Sequence, residues 1–148
     1  MELDWKNLGF GIMKTDYNVR CVYKDGLWGE LEISSDEYLN IHIGATCLHY
    51  GQESFEGLKA FSGKDGRIRL FRHEDNARRM IDSARGILLA EVPVELFMEA
   101  VEMVVSLNKR FIPPYGTGAS LYIRPLLIGT GPEVGVKPAS EYTFLVFV

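Results

Sequence analysis

Cysteine is scarce in this chain: Cys21 and Cys47 are the only two in 148 residues. Without a secretory signal they read as reduced, partly buried apolar groups rather than as a disulfide. His42, His49 and His73 share no metal-ligand spacing with them or with one another. Long apolar runs are missing too. Nothing approaches the ~20 residues of a membrane-spanning helix, so no membrane partner is expected. Basic runs are absent and the net charge is −4, which argues against nucleic acid as a partner. The opening Met1-Glu-Leu-Asp-Trp-Lys6 has two acids and no apolar segment, so it suits neither a signal nor an Arg-rich transit peptide. A cytoplasmic location is the expectation. Repeats and low-complexity tracts are missing as well. What remains, 47% apolar and 24% charged, fits one domain that can bury a core.

Local patterns organise that domain. Residues 19–24 read as a strand, Asp25-Gly26 as a hairpin turn, and Leu27 to Ile33 as a second strand. Its alternation sets Leu27, Gly29, Leu31 and Ile33 against Trp28, Glu30 and Glu32. A second hairpin pairs residues 57–61 with 67–71 across Ser62-Gly-Lys-Asp-Gly66. From Glu74 to Ile87 the apolar period becomes helical, through Ala77, Met80, Ile81, Ala84 and Ile87. Glu74 and Asp75 occupy the first turn, where the helix dipole favours them. Another helix spans 93–109, with Pro93 at its start and a stripe of Val94, Phe97, Met98, Val101, Val104 and Val105. Pro113-Pro114 ends it. Residues 119–128 read as a strand. Tyr142 to Val148 lacks alternation, as a strand buried on both faces does. A chain that closes on such a strand reads as a fragment. The expected fold class is α+β, a mostly antiparallel sheet with two main helices.

The familiar self-contained catalytic motifs are missing. There is no Gly-x-Ser-x-Gly elbow, no His-Glu-x-x-His and no P-loop; Gly116-Thr-Gly118 and Gly129-Thr-Gly131 read as turns. Several longer strings carry more. They are Leu48-His-Tyr50, Phe55-Glu-Gly-Leu-Lys-Ala-Phe61, Arg67-Ile-Arg-Leu-Phe71, Ser120-Leu-Tyr-Ile-Arg-Pro125, and Gly129-Thr followed by Val134-Gly-Val136. In this order they resemble the N-terminal small domain of the branched-chain amino-acid aminotransferases, pyridoxal-phosphate (PLP) enzymes of fold type IV. The likeness runs from about Phe10 to Val148.

That resemblance implies roles. Arg79, within Asn76-Ala-Arg-Arg-Met80, falls on the arginine that binds the PLP phosphate, a task suited to a permanently charged, forked guanidinium. Without the resemblance, Arg79 reads as the surface partner of Asp75, four residues earlier. If the register were one residue off, Arg78 would take the role; Glu74–Arg78 is otherwise the surface pair. The substrate pocket falls on Phe10, Tyr50, Phe55, Tyr122 and Arg124, with Val136 beside it. Period 2 places Tyr122 and Arg124 on one strand face. An apolar wall with one arginine suits both a branched aliphatic side chain and the second carboxylate of glutamate or 2-oxoglutarate.

The resemblance further implies that the Schiff-base lysine lies in a C-terminal domain past residue 148, so no catalytic residue is assigned in this chain. The lysines here are Lys6, Lys14, Lys24, Lys59, Lys64, Lys109 and Lys137, and Lys59 reads as structural or solvent-facing. The expected whole enzyme exchanges amino groups between leucine, isoleucine or valine and 2-oxoglutarate, as a homo-oligomer. The 148 residues alone are expected to be inactive. A D-amino-acid aminotransferase, an aminodeoxychorismate lyase and a non-catalytic interaction module are the alternative readings.

Overall fold

The protein is described by a computed structural model covering residues 4, 5, 9 and 11–148; Phe10 and Lys6 therefore lie outside the described residues. Its strands are β1 (Asn18–Lys24), β2 (Leu27–Trp28), β3 (Glu32–Ser34), β4 (Glu53–Phe55), β5 (Leu58–Ser62), β6 (Ile68–Leu70), β7 (Leu121–Gly129) and β8 (Tyr142–Phe147). They form one antiparallel sheet in the order β2-β1-β8-β7-β5-β6, with β3 also on β1 and β4 also on β7. The helices are α1 (Thr46–Tyr50), α2 (His73–Gly86) and α3 (Val94–Leu107), followed by a 3-10 turn at Lys109–Phe111. The expected α+β class holds. So do both long helices, within two residues at each end.

Packing follows the apolar periods. The stripe of α3 buries Phe97, Val101, Val104 and Val105 against β1, β7 and β8, with the Phe97 ring stacked on Phe144 at 5.8 Å. Helix α2 lies beside α3 and buries Ala77, Met80 and Ala84. Each fully buried large side chain contributes ~1.5–3 kcal/mol through removal from water. Strand β8 sits between β1 and β7, and Tyr142 to Val146 are all buried, which explains the missing alternation. Its outer face is approached by residues 15–18, Arg20 and residues 35–39, which with Ile12, Met13, Leu145, Phe147 and Val148 surround a cavity of about 360 Å³.

Two departures from the local patterns have plain causes. The Asp25-Gly26 turn forms with both residues at positive φ, 53° and 83°, the geometry that matches strand twist. The strand after it, however, is broken. Pairings Tyr23↔Trp28 and Arg20↔Glu32 differ in register by one residue, so a bulge falls between Trp28 and Glu32. Before the bulge, the turn register places Trp28 on the core side, where its indole N–H donates to Glu91 O at 2.8 Å, while Leu27 is left 74% exposed. The second departure is at Pro125. It has no N–H to give the ladder, so β4 and β5, which keep a single register along β7, are interrupted opposite it. Only the Glu56 N–H crosses there, to Pro125 O at 2.9 Å. That interruption, at Glu56-Gly57, is where the two halves of the site meet.

Candidate active site

Gly57 faces the Tyr122–Arg124 side of β7. A Cβ added to it would lie 2.5 Å from the Tyr122 hydroxyl oxygen, so the phenol rests directly on the glycine backbone. That hydroxyl accepts hydrogen bonds from Arg124 Nε (3.1 Å) and Nη2 (2.9 Å). The Arg124 guanidinium lies 4.3 Å above the centre of the Phe55 ring and 5.3 Å from that of Tyr122. Phe55 pairs with Leu126 on the neighbouring strand, and period 2 along β7 brings Tyr122, Arg124 and Leu126 to one face. Phe55, Tyr122 and Arg124, named from the sequence, therefore form one cluster: a half-buried cation between two aromatic rings. Phe55 itself is 59% exposed, so the cluster opens outward. Lys59, opposite Tyr122 in the ladder, is exposed.

Tyr50 and Val136 meet at a second place. The Tyr50 hydroxyl donates to Val134 O, and Tyr50, Val136, Ile87 and Leu88 line a shallow cavity of about 280 Å³. Tyr50 lies at the end of α1, a helix of five residues that periodicity is too short to reveal. The buried Gln52 fixes this region. Its Oε1 accepts from Thr46 Oγ1 (2.8 Å) and the Ala139 N–H (3.1 Å), and its Nε2 donates to Ile87 O and Leu88 O (both 3.2 Å). All four positions of the amide are used. One side chain thus joins α1, the turn after α2 and the loop carrying Val134–Val136.

Arg79 stands on the other side of Glu56-Gly57. It does not pair with Asp75, whose carboxylate is held by Arg72 at 2.5 Å. Arg78 takes Glu74 at 2.5 Å, the surface pair the spacing suggested. Arg79 instead reaches across to the β4–β5 junction: its Nε donates to Glu56 Oε1 (3.2 Å) and its Nη2 to Glu56 Oε2 (2.8 Å). The Glu56 hydrogen bond and charge raise the guanidinium's pKa further, so it stays cationic at any working pH. The side chain of Arg79 is 61% exposed against 10% for Glu56. Its outer end is open to a ligand. Glu56 and Asn76, both buried, were not singled out in the sequence. One signal was available: Glu56 is an acid in strand register with the buried Leu58 and Ala60, a position that needs a cationic or donor partner.

An antiparallel sheet carrying two main helices matches the N-terminal domain of fold type IV branched-chain aminotransferases. The comparisons are narrower still. By sequence the chain is similar to branched-chain-amino-acid aminotransferases over part of their length. It is 52% identical over 146 residues to the branched-chain-amino-acid aminotransferase of Haemophilus influenzae, covering 99% of this chain and 43% of that protein. To that of Helicobacter pylori it is 48% identical over 145 residues, again covering 43% of the relative. To the chloroplastic branched-chain-amino-acid aminotransferase 5 of Arabidopsis thaliana it is 48% identical over 149 residues, covering 35% of that protein. The branched-chain amino acid aminotransferase structure from Escherichia coli superposes with a TM-score of 0.66 at 27% identity, over 90% of this chain and 41% of that one. The PLP form of the Thermobaculum terrenum enzyme, 20% identical with a TM-score of 0.64, shares the fold. The chain thus spans less than half the length of the relatives it matches. No protein-family model matches it. Among the described residues, no helix is long and apolar enough to cross a membrane.

Proposed function

We propose that this chain is the small domain of a PLP-dependent branched-chain amino-acid aminotransferase. The enzyme containing it would transfer the amino group between leucine, isoleucine or valine and 2-oxoglutarate. The reading is carried by the Phe55–Tyr122–Arg124 cluster, on a chain with 52% identity to an aminotransferase of that name. The aromatic rings offer an apolar wall to a branched side chain. Arg124, held by the Tyr122 hydroxyl, offers a cation to the distal carboxylate of 2-oxoglutarate or glutamate. Tyr50 and Val136, on the Gln52-anchored side, and Phe10 are assigned to the same pocket from the resemblance.

The cofactor fits the residues present. The exposed end of the Arg79 guanidinium, backed by a buried carboxylate, can donate two hydrogen bonds to phosphate oxygens. PLP, when bound, supplies the electron sink that amino-group transfer needs. The chain's own task is to bind its phosphate, shape the pocket and read the substrate's far end. The Schiff-base lysine is assigned to a C-terminal domain outside these residues, and the full enzyme to a cytoplasmic homo-oligomer. The 148 residues alone would then show no turnover.

Arg124→Gln in the full-length enzyme tests the reading. Leaving a second carboxylate without its partner in a partly dry pocket costs about 2–5 kcal/mol. Single-turnover absorbance should show the half-reaction with 2-oxoglutarate or glutamate impaired far more than that with leucine. An equal fall in both half-reactions would assign Arg124 to something the substrates share, such as the α-carboxylate, and the dual-recognition role would be dropped. A substrate screen that found D-amino acids preferred would favour the D-amino-acid aminotransferase reading of the same fold.

A further inference from the structure

We propose that Glu56 is a positioning residue for the phosphate-binding arginine: its buried carboxylate grips one edge of the Arg79 guanidinium and turns the other toward the cofactor. This rests on the assignment of Arg79 to the PLP phosphate made above. The geometry is specific. Nε–H and one Nη2–H of a guanidinium lie parallel on one edge. Glu56 engages that edge with both oxygens, Oε1 to Nε at 3.2 Å and Oε2 to Nη2 at 2.8 Å. The edge left over, formed by Nη1 and the second Nη2 hydrogen, is the one that can take two oxygens of a phosphate.

Glu56 is itself held. The Asn76 amide, one turn before Arg79 on α2, donates to Glu56 Oε2 at 2.8 Å and lies 3.4 Å from Gly57 O. The Glu56 N–H is bound to Pro125 O. Its side chain has no freedom to follow Arg79 outward, so the arginine must come to it. The Arg79 side chain is 61% exposed. A long side chain so exposed would otherwise sample many rotamers, and ordering it on binding would weaken affinity. The carboxylate removes that disorder beforehand. It also lowers the net positive charge near the phosphate, which acts the other way. Orientation outweighs this loss.

The test uses the full-length protein stripped of cofactor and compares its affinity for PLP with that for pyridoxal, which lacks the phosphate. Absorbance and fluorescence titrations give both dissociation constants. In Glu56→Gln, the PLP-to-pyridoxal affinity ratio is expected to fall about tenfold, the scale of one charge-assisted hydrogen bond. In Arg79→Ala it should fall further, and the double variant should fall no more than Arg79→Ala alone. A general structural defect would lower both affinities together and leave the ratio unchanged. If Arg79→Ala lowers the ratio but Glu56→Gln does not, the positioning role is overturned and the phosphate assignment stands. If neither variant changes the ratio, both are overturned. A ratio that rises in Glu56→Gln shows a carboxylate competing with phosphate, and also overturns the role. Should Glu56→Gln not fold, Asn76→Ala frees the same carboxylate. There a fall of about threefold is expected, and an unchanged ratio refutes the proposal.

Discussion

Replacing Gly57 by alanine separates the domain's stability from the shape of the proposed substrate cluster. The backbone offers no objection, since Gly57 is not among the glycines at positive φ. The objection is the Tyr122 hydroxyl, 2.5 Å from the new Cβ, with Cζ at 3.2 Å and Cε2 at 3.3 Å. Ordinary contact begins near 3.4 Å, so the phenol must withdraw by about 0.9 Å. Overpacking of this kind costs ~1–3 kcal/mol when the neighbour is confined. Tyr122 is half-buried and can swing outward, which puts the cost at the low end. Loss of glycine's unfolded-state freedom returns ~0.4–1 kcal/mol. The net fall in stability should therefore stay below about 1 kcal/mol. The pocket has no such compensation. The Arg124 bonds at 3.1 and 2.9 Å cannot both survive the withdrawal, and Arg124 loses the partner that holds it over Phe55. A charge-assisted bond is worth ~1.5–3 kcal/mol, reduced here by partial exposure, so 2-oxoglutarate should bind about tenfold more weakly. Urea unfolding and a 2-oxoglutarate titration on the full-length enzyme measure the two effects. Unchanged keto-acid affinity, or a stability loss above about 3 kcal/mol with affinity intact, would refute this account of why glycine stands at 57.

Gln52→Leu should lower stability by about 2–4 kcal/mol, because it strands the Thr46 hydroxyl, the Ala139 N–H and the Ile87 carbonyl, while Leu88 O keeps the Tyr142 hydroxyl; urea midpoints within experimental error of the parent would contradict the hub. Arg79→Ala should weaken PLP binding by about one to two decades, and Arg78→Ala much less, since Arg78 is a surface partner of Glu74; the reverse order in a PLP titration would move the assignment by one residue. Asp16, hydrogen-bonded by Arg110, and Glu91, hydrogen-bonded by Arg85, both have lowered pKa values. Their contribution to stability is therefore complete above the ordinary carboxylate range near pH ~4 and lost as pH falls through their folded values. Arg110→Gln should flatten the acid limb of a stability–pH profile, and an unaltered limb would show that the pair contributes nothing. Burial pushes the Cys21 and Cys47 thiols up, so both should react slowly with iodoacetamide at neutral pH, Cys21 more slowly because it is the more buried. Faster labelling of Cys21 would contradict its place in the core.

The sequence by itself determined whatever depends on neighbours along the chain. The Asp25-Gly26 hairpin, the helical periods of α2 and α3, and the unalternating β8 were all legible because turn chemistry and side-chain period act within a few residues. So was the grouping of Tyr122 with Arg124, which needs only two positions of one strand. The quoted strings placed the family. Other features were decided by contacts distant in sequence. The partner of the Trp28 indole is a carbonyl of Glu91, 63 residues away. Helix α1 is too short to stand on its own period, and lies where Thr46 and Gln52 join across six residues. Most of all, spacing alone assigned Arg79 to Asp75, and only the family resemblance implied a phosphate. The tertiary structure gave it Glu56, 23 residues away, because the ladder breaks opposite Pro125 just where α2 passes. A pairing between a strand and a helix depends on where two independently formed elements come to rest. Local period sets what each element is, and packing sets which side chains they bring together.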